Sequence, residues 1–460
     1  MSSVPERRKR SATTSPSPIS STRILLQCPD GVFPYLTPAL LQICFPPDRV
    51  ADVLLLGLAV RDTCLQPTTY HDGNKRKPRG YNFSSTTKVD RWMLPYQRVT
   101  VPTFDYLQDA QAAESTSSSS RNDQAAVTMT NQHAMMWTAN GRHALTPAVY
   151  FHAAVGLASH SVVPLFDVGS TSGSHGPLSA NGMRKRTHTA LQRTTQWRND
   201  FVSRCCTVPE HGASADVWAP LNMVREDAAG RVPLPVEGTS HSQALWKDQL
   251  SDILNSGHNG LSGIVAIGWE SLEEDRLGSL TNLRAELPSN MTLALLSTQT
   301  LGQILEVCSI GHNIAIGTNL PTKWACQAKA LCVQLPSPKN AKRVKTVETA
   351  ECNAVLDADG CVRLRPTDNN RDVTTHPWFR DRRPILPDCQ CLTCRSHSRA
   401  YIYHLVCAKE LLAEILLFIH NLHLLLDTVR LLSNAANDDE RQLLYKNLLY
   451  QIQNTNTHNI

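Results

Sequence analysis

Three cysteines in the C-terminal part of the chain constrain its fold more than any other feature. Cys389, Cys391 and Cys394 form a C-x-C-x-x-C pattern. Thiolates at this spacing can bind one Zn²⁺ ion, which takes four ligands in a tetrahedron at about 2.0 to 2.3 Å. One further ligand from elsewhere in the chain would complete the set and leave no open position. The pattern therefore predicts a structural zinc site that ties the cysteine loop to another element.

The spacing leaves the fourth ligand open. A site with three cysteines commonly takes a histidine as its remaining ligand, and four histidines follow the cysteines. They are His397, His404, His420 and His423. Three of them fall in a long amphipathic pattern that predicts a single helix over about 398–430. His420 would require the cysteine loop to fold back along that helix, whereas His404 lies near its start.

The remaining cysteines are expected to be reduced thiols. The chain has 14 cysteines among 460 residues, 41% hydrophobic and 18% charged residues, and a formal net charge of +5. A chain of this length can build its own core, and no apolar signal segment is recognised near residue 1. We expect an intracellular, cytoplasmic protein. A nuclear association through the basic run Arg7 to Arg10, or a mitochondrial one, stays open.

Short apolar runs alternate with amphipathic stretches from Ile24 onward. Buried strands are predicted over 53–60, 161–166, 263–267, 291–296 and 314–316, and helices over 183–202 and 299–310. Strands separated by helices favour βαβ units and a parallel sheet, so the fold class is α/β. The most apolar stretch, 411–426, contains Glu414, His420 and Asn421, and we therefore expect no integral membrane segment.

Two sequence runs resemble a known zinc region. The first is Cys389-Gln-Cys-Leu-Thr-Cys-Arg-Ser-His-Ser-Arg-Ala-Tyr, and the second is Phe418-Ile-His-Asn-Leu. Together they resemble the C-terminal zinc region of the tRNA-guanine transglycosylase family. In that family the histidine before Asn-Leu is the fourth zinc ligand, so the resemblance selects His420. It also implies a (β/α)8 TIM-type barrel with a C-terminal zinc-binding subdomain and one Zn²⁺ per chain.

Four upstream segments resemble the same family in the same order. Leu145-Thr-Pro-Ala-Val-Tyr and Val163-Pro-Leu-Phe-Asp resemble the helix and strand that end in an aspartate contacting the base. Gly263-Ile-Val-Ala-Ile-Gly resembles a Gly-Ile-Val-Gln-Gly-Gly strand. Leu301 to Thr322, with Gly311 and Pro321-Thr322, resembles the segment that carries the catalytic nucleophile. The resemblance thus marks Asp167 as a base contact, whereas its position alone fits equally well a strand-end carboxylate that caps the next helix.

The resemblance does not extend to the catalytic carboxylates. Active members use an aspartate that attacks the ribose and releases the base, four residues before the Pro-Thr proline, where this chain has Gly317. The preceding family aspartate meets Asn313 or Ile314. No aspartate occurs between Asp275 and Asp357, so a shift of register restores none. The base-reading glutamine falls on Ala266, and the family's Asp-Ser-Gly-Gly-Phe-Gln segment has no counterpart near 137–146.

A member without the nucleophile resembles the non-catalytic partner in the heterodimeric queuine tRNA-ribosyltransferase of eukaryotes. This implies a catalytic partner subunit, tRNA as the common substrate, and support for the exchange of guanine for queuine at the anticodon wobble position. Phosphate contacts are expected from three basic groups. They are the arginine-rich helix over 183–202 with Arg184, Lys185, Arg186, Arg193 and Arg198, the loop with Lys339, Lys342, Arg343 and Lys345, and the pair Arg395 and Arg399.

Two alternatives remain at this point. One is an active transglycosylase with a displaced nucleophile such as Glu306. The other is an adaptor that binds RNA or protein through the cysteine loop and has no role in base exchange.

The expected domain organisation has three parts. Residues 1–23 form a disordered basic arm, since the segment is rich in arginine and serine and has little to bury. Residues 24–380 form the barrel, with polar loops inserted at about 114–131 and 336–345. Residues 381–460 hold the zinc-binding loop and the C-terminal helices.

Overall fold

The structure is a computed structural model. It describes residues 22–28, 33–45, 53–56, 69–72, 75–78, 98–101, 129–138, 141–156, 160–167, 180–207, 216–223, 241–255, 261–272, 276–335, 356–365, 374 and 376–454. The predicted loop at 336–345, and all but the last residues of the arm and of the loop at 114–131, lie outside these residues. The three-part domain organisation therefore stays a prediction.

The described strands number fourteen. They are β1 (Arg23–Gln27), β2 (Val53–Leu56), β3 (Thr69–Asp72), β4 (Lys75–Pro78), β5 (Arg98–Thr100), β6 (Ala134–Thr138), β7 (Gly141–Leu145), β8 (Ser161–Val162), β9 (Asp216–Asn222), β10 (Leu261–Ile267), β11 (Thr292–Thr298), β12 (Ile314–Thr318), β13 (Lys329–Leu331) and β14 (Cys361–Arg363).

Eight of these strands close into a parallel barrel. Going round the barrel, the order is β1, β2, β5, β8, β9, β10, β11 and β12, which is also their order along the chain. β1 pairs in parallel with both β2 and β12 and so closes the ring. Among the described residues, three antiparallel two-stranded sheets, β3–β4, β6–β7 and β13–β14, lie outside it. The α/β class and the TIM-type barrel are confirmed.

Helices cover the outside of the barrel and build the C-terminal subdomain. They are α1 (Pro38–Cys44), α2 (Pro147–Gly156), α3 (Ala180–Thr207), α4 (His241–Asn255), α5 (Arg276–Glu286), α6 (Leu301–Ile310), α7 (Leu320–Cys326), α8 (Leu392–Ser396), α9 (Arg399–Ala408), α10 (Leu411–Ser433) and α11 (Asp438–Asn454), with a 3₁₀ turn at Trp269–Ser271.

Alternating residues of the barrel strands face either the inside of the barrel or the helices around it. Leu25 of β1 belongs to the apolar cluster inside the barrel, while its neighbours Ile24 and Leu26 pack between barrel and helices. The inner cluster includes the indole of Trp218, which approaches β10 closely. A Cβ at Gly263 would lie 2.8 Å from Trp218 Cδ1 and 2.9 Å from the Thr292 carbonyl oxygen. The first glycine of the Gly-Ile-Val segment is therefore required by packing.

The long helix predicted over 398–430 is two helices, which corrects that expectation. α9 ends where Lys409 adopts the left-handed conformation, with φ 58° and ψ 35°. The Lys409 amide donates to the carbonyls of Leu405 and Val406, which closes the helix end in the way glycine usually does. The apolar periodicity runs on across this break because α9 and α10 both pack on the same core.

α10 is the central helix of the C-terminal subdomain. Within the part of the chain that the structure describes, it is the one helix long and apolar enough by length and composition to cross a membrane. Its most apolar window is 78% buried inside the protein. This degree of burial is typical of the core helix of a globular protein.

Candidate functional site

Four side chains predicted from sequence converge in the C-terminal subdomain. The ligand atoms of Cys389, Cys391, Cys394 and His420 all lie within 4.8 Å of one another. His420 Nδ1 lies 3.8 Å from the Sγ of Cys389, 3.6 Å from that of Cys391 and 3.4 Å from that of Cys394. In a tetrahedral zinc site the bond lengths put a sulfur and a nitrogen ligand about 3.6 Å apart. The three nitrogen–sulfur distances therefore fit a Cys₃His site for a Zn²⁺ ion.

Local structure of the cysteine loop aims its sulfurs at one point. Cys391 is the N-cap of α8, and its Sγ accepts a hydrogen bond from the Cys394 amide at 3.2 Å. The Thr393 hydroxyl donates to the Leu416 carbonyl at 2.7 Å and so fastens α8 to α10. Cys391 and Cys394 are buried, and Cys389 is partly exposed at the rim. The loop thus folds back along the helix that carries His420.

The imidazole of His420 is oriented by a second hydrogen bond. Its Nε2 lies 2.8 Å from the carbonyl oxygen of Leu331 in β13. A carbonyl only accepts hydrogen bonds, so Nε2 carries a proton and Nδ1 faces the sulfurs, as in many histidine ligands of zinc. Complete burial lowers the pKa of His420, but hydrogen bonds with the three cysteines outweigh this and raise the pKa well above its usual value. The sulfur cluster therefore favours a positive charge at this point, whether a proton or a metal ion.

The structure also decides among the competing histidines. His397 stacks on Tyr401 with ring centroids 5.2 Å apart. His404 is exposed, and His423 pairs with Asp427 at 3.3 Å. None of these three belongs to the group of ligand atoms around the cysteines. The choice of His420, which the spacing left open, is made by the fold.

The predicted base contact, Asp167, lies at the mouth of the barrel, where the strands end. The inner cluster extends to this end through Val101, Phe166 and Ile267. Active sites of TIM barrels lie at the carboxyl ends of the strands. The described part of this mouth holds these apolar side chains together with buried polar ones such as Asp167 and Asn222.

Residues at the family's catalytic positions have ordinary structural roles. Gly317 lies in β12 opposite Leu25, and its carbonyl accepts a hydrogen bond from the Thr298 hydroxyl at 2.9 Å. Ala266 belongs to the cluster between barrel and helices. Glu306, the displaced nucleophile considered above, lies on α6 and pairs with Arg276 at 2.8 Å. The interaction fixes Glu306 on an outer helix.

Asp167 follows the end of β8 by five residues and is 1% exposed. Its carboxylate pairs with the guanidinium groups of Arg193 and Arg186, which lie in α3. Its amide donates to the Thr194 hydroxyl at 2.9 Å. These contacts hold Asp167 against α3, and its two interpretations, as a base contact or as a helix cap, stay predictions.

Several arginines expected to meet phosphates are buried. Arg193 and Arg198 of α3 are 6% and 4% exposed, and Arg399 is 2% exposed. The Arg399 guanidinium donates to Asp381 at 2.8 Å and to the Ile385 carbonyl at 2.7 Å. Their role as phosphate contacts is excluded, because each side chain is enclosed by protein. The loop with Lys339 lies outside the described residues.

Glu270 is a carboxylic acid that the sequence analysis missed. It follows β10 by three residues at the mouth of the barrel, a position that was itself a usable signal. Burial raises its pKa to about 7, and its backbone hydrogen bond and the nearby charge of Arg276 only partly oppose this. Glu270 is thus close to half-protonated at neutral pH.

We expect Glu270→Gln to stabilise the protein at alkaline pH. Folding raises the pKa of Glu270, so the folded state favours the protonated carboxyl group. The free energy of unfolding is therefore highest below about pH 4.5 and decreases as the pH rises through 7. The glutamine variant does not ionise, so its free energy of unfolding should exceed that of the wild type by about 2 kcal/mol at pH 8 and by little at pH 5. Urea unfolding at both pH values measures the difference, with the exposed Glu286→Gln as control. Equal gains at both pH values would contradict the assignment.

The chain is similar in sequence to proteins named as accessory subunits of queuine tRNA-ribosyltransferase. Over 317 residues the chain is 24% identical to the queuine tRNA-ribosyltransferase accessory subunit 2 of Anopheles gambiae, covering 67% of this chain and 62% of the relative. It is 26% identical to the protein of the same name in Xenopus tropicalis over 304 residues, 64% of this chain and 66% of the relative. The chain therefore spans just under two thirds of the length of these relatives.

A bacterial relative matches over a shorter stretch. The queuine tRNA-ribosyltransferase of Desulforudis audaxviator is 44% identical over 77 residues, 17% of this chain and 21% of the relative. The family model described as queuine tRNA-ribosyltransferase matches residues 105–454, about three quarters of the chain. This range includes most of the barrel and the whole cysteine and histidine cluster. The chain belongs to the queuine tRNA-ribosyltransferase family.

Proposed function

We propose that this chain is the non-catalytic subunit of a heterodimeric queuine tRNA-ribosyltransferase. In this role it binds a separate catalytic subunit, stabilises it and helps to position tRNA while the partner exchanges guanine for queuine at the wobble position. The proposal agrees with the names of the Anopheles and Xenopus relatives, which are accessory subunits. As an accessory subunit it would itself perform no base exchange.

One observation carries the proposal: the barrel is kept while the position of the nucleophile holds a glycine. Covalent base exchange needs a carboxylate at the anomeric carbon of the ribose. Gly317 has no side chain to supply it, and the sequence from Asp275 to Asp357 contains no other aspartate. Glu306 is engaged with Arg276 on an outer helix. This supports a loss of catalysis within a preserved scaffold.

We assign the cysteine and histidine cluster a structural role. Cys389, Cys391, Cys394 and His420 would hold one Zn²⁺ with all four positions taken by protein, so the ion has no open position for a substrate. Bound there, it would link the cysteine loop to α10, and through the Leu331 carbonyl to β13. The zinc would thereby stabilise the C-terminal subdomain.

The same subdomain is the proposed tRNA contact. Arg380, Arg382 and Arg395 are exposed near the cysteine loop. Arg383 is 54% exposed, although it pairs with Asp381 at 2.9 Å. Guanidinium groups bind phosphate oxygens well and would attract the backbone of an RNA. The cytoplasmic location, with nuclear or mitochondrial association, remains part of the proposal.

Reconstitution of guanine exchange tests the proposed role. Labelled guanine in tRNA is followed with this chain alone, with the catalytic homologue alone and with the two mixed, and zinc content is measured in parallel. We expect exchange in the mixture well above that of the homologue, none from this chain alone, and one zinc per chain. Activity of this chain alone would contradict the loss of catalysis. A mixture no faster than the homologue would instead favour the adaptor.

A further inference from the structure

A buried group of charged side chains lies at the barrel mouth, apart from the metal centre. The carboxylate of Asp167 is almost fully enclosed, and Arg193, which pairs with it, is 6% exposed. The second arginine, Arg186, contacts the other carboxylate oxygen at 3.4 Å and is 28% exposed. Desolvating a carboxylate is costly unless it is paired and hydrogen-bonded. The fold therefore provides Asp167 with an internal partner.

Arg193 is held in place from several directions. Its Nη1 donates to Asp167 Oδ2, while its Nε and Nη2 both lie 3.4 Å from the Asn131 side-chain oxygen. Trp197, one turn further along α3, donates to the Asn131 carbonyl at 3.0 Å. The Asp167 amide is bound by Thr194, beside Arg193. The guanidinium is thus a planar group set between a carboxylate and an amide oxygen.

These contacts define a site for a planar cation that offers several N–H donors. Asp167 and Asn131 supply acceptors, and a guanidinium or amidinium matches them in both charge and shape. We propose that Arg193 is an internal ligand that fills this site, so that the carboxylate at the barrel mouth is closed to external ligands. This inference concerns the chain alone and does not depend on its pairing with a catalytic subunit.

Removal of the Arg193 side chain tests the proposal by chemical rescue. Arg193→Ala leaves a buried carboxylate without its main partner and should lower the melting temperature by about 5 °C. Guanidinium chloride at low millimolar concentration, far below denaturing levels, should then restore at least half of the loss. The same concentration of sodium chloride should not, and the wild type should gain nothing from guanidinium.

Two further variants separate this site from a general loss of charge. Arg193→Lys keeps a positive charge in a folded protein but lacks the planar fork, so guanidinium should stabilise it as well, although less. The matched control is Arg204→Ala, whose guanidinium pairs with Asp200 on the surface and is 37% exposed; it should show no rescue. If circular dichroism shows Arg193→Ala and Arg193→Lys folded and guanidinium raises the melting temperature of neither, the proposal is overturned. Saturable binding of guanidinium to the wild type would overturn it too.

Discussion

Cys391→Ala is expected to release the zinc ion and unfold the cysteine loop. The residue supplies a proposed ligand and also caps α8, so its loss removes both the coordination and the first turn of the helix. Structural zinc binding in small domains is worth about 10 to 16 kcal/mol, and this energy contributes directly to folding. We therefore expect a loss of about 5 kcal/mol or more in the stability of the C-terminal subdomain. Zinc per chain should fall from one to near zero.

The measurement combines zinc content with local protection. Hydrogen exchange should rise across α8 and the start of α9, while β10 to β12 of the barrel stay protected. Cys407→Ser is the matched control, because Cys407 is a partly buried cysteine on α9 outside the ligand group. It should keep its zinc. A stable, zinc-free Cys391→Ala protein that still pairs with the catalytic homologue would refute the structural role.

The barrel strands were predictable where they are uninterrupted apolar runs. Buried parallel strands face apolar surroundings on both sides, so β10, β11 and β12 read as short hydrophobic segments. β9 was not predicted, because Asp216 and Pro220 interrupt its sequence. Proline lacks a backbone donor and argues against a strand when read alone. Only the closed ring, with β8 and β10 on either side, makes this segment a strand.

Charge patterns were a poorer guide than apolar patterns. The arginines of α3 predicted a phosphate-binding face, but Arg193 and Arg198 point into the protein. Whether an arginine is solvated depends on which face the helix turns to the barrel and on a partner distant in sequence. For Arg193 that partner is Asp167, 26 residues earlier. Helical periodicity alone contains no information on this pairing.

The cysteines of the candidate metal centre could be predicted from sequence, but its histidine could not be predicted from spacing alone. The tight spacing of the cysteines predicted three members of the cluster directly, because residues this close along the chain can reach one point in almost any loop. The histidine required either the resemblance or the fold, since its approach depends on α10 lying beside the loop. The break at Lys409 separates α9, which follows the cysteine loop, from α10, which carries His420.

The residue after the histidine ligand explains why the motif continues as His-Asn-Leu. Asn421 is fully buried, and its side chain binds the edge of β13 at two points. Its Oδ1 accepts from the Leu331 amide at 2.8 Å, and its Nδ2 donates to the Lys329 carbonyl at 3.0 Å. The Leu331 carbonyl is also the acceptor for His420 Nε2. Asn421 thus holds the strand that orients the imidazole.

Asn421→Ala should therefore weaken both the fold and zinc binding. It leaves one amide and one carbonyl of β13 buried without a partner, at a cost of about 1 to 3 kcal/mol each, so we expect a loss of about 3 kcal/mol. Displacement of the Leu331 carbonyl should lower zinc affinity roughly tenfold, as is usual when the partner of a histidine ligand is lost. Urea unfolding and competition with a chromogenic chelator measure the two effects.

Thr428→Ala provides the matched control for this substitution. Thr428 is a buried polar residue on the same helix, and its hydroxyl donates to the Leu424 carbonyl within α10 at 2.8 Å. Its loss leaves the backbone bonds of the helix intact, so stability should fall by about 1 kcal/mol or less and zinc affinity should not change. If the two variants proved equally stable and bound zinc equally well, β13 would not need Asn421. The pairing of β13 with β14 would then be enough to hold the Leu331 carbonyl against His420.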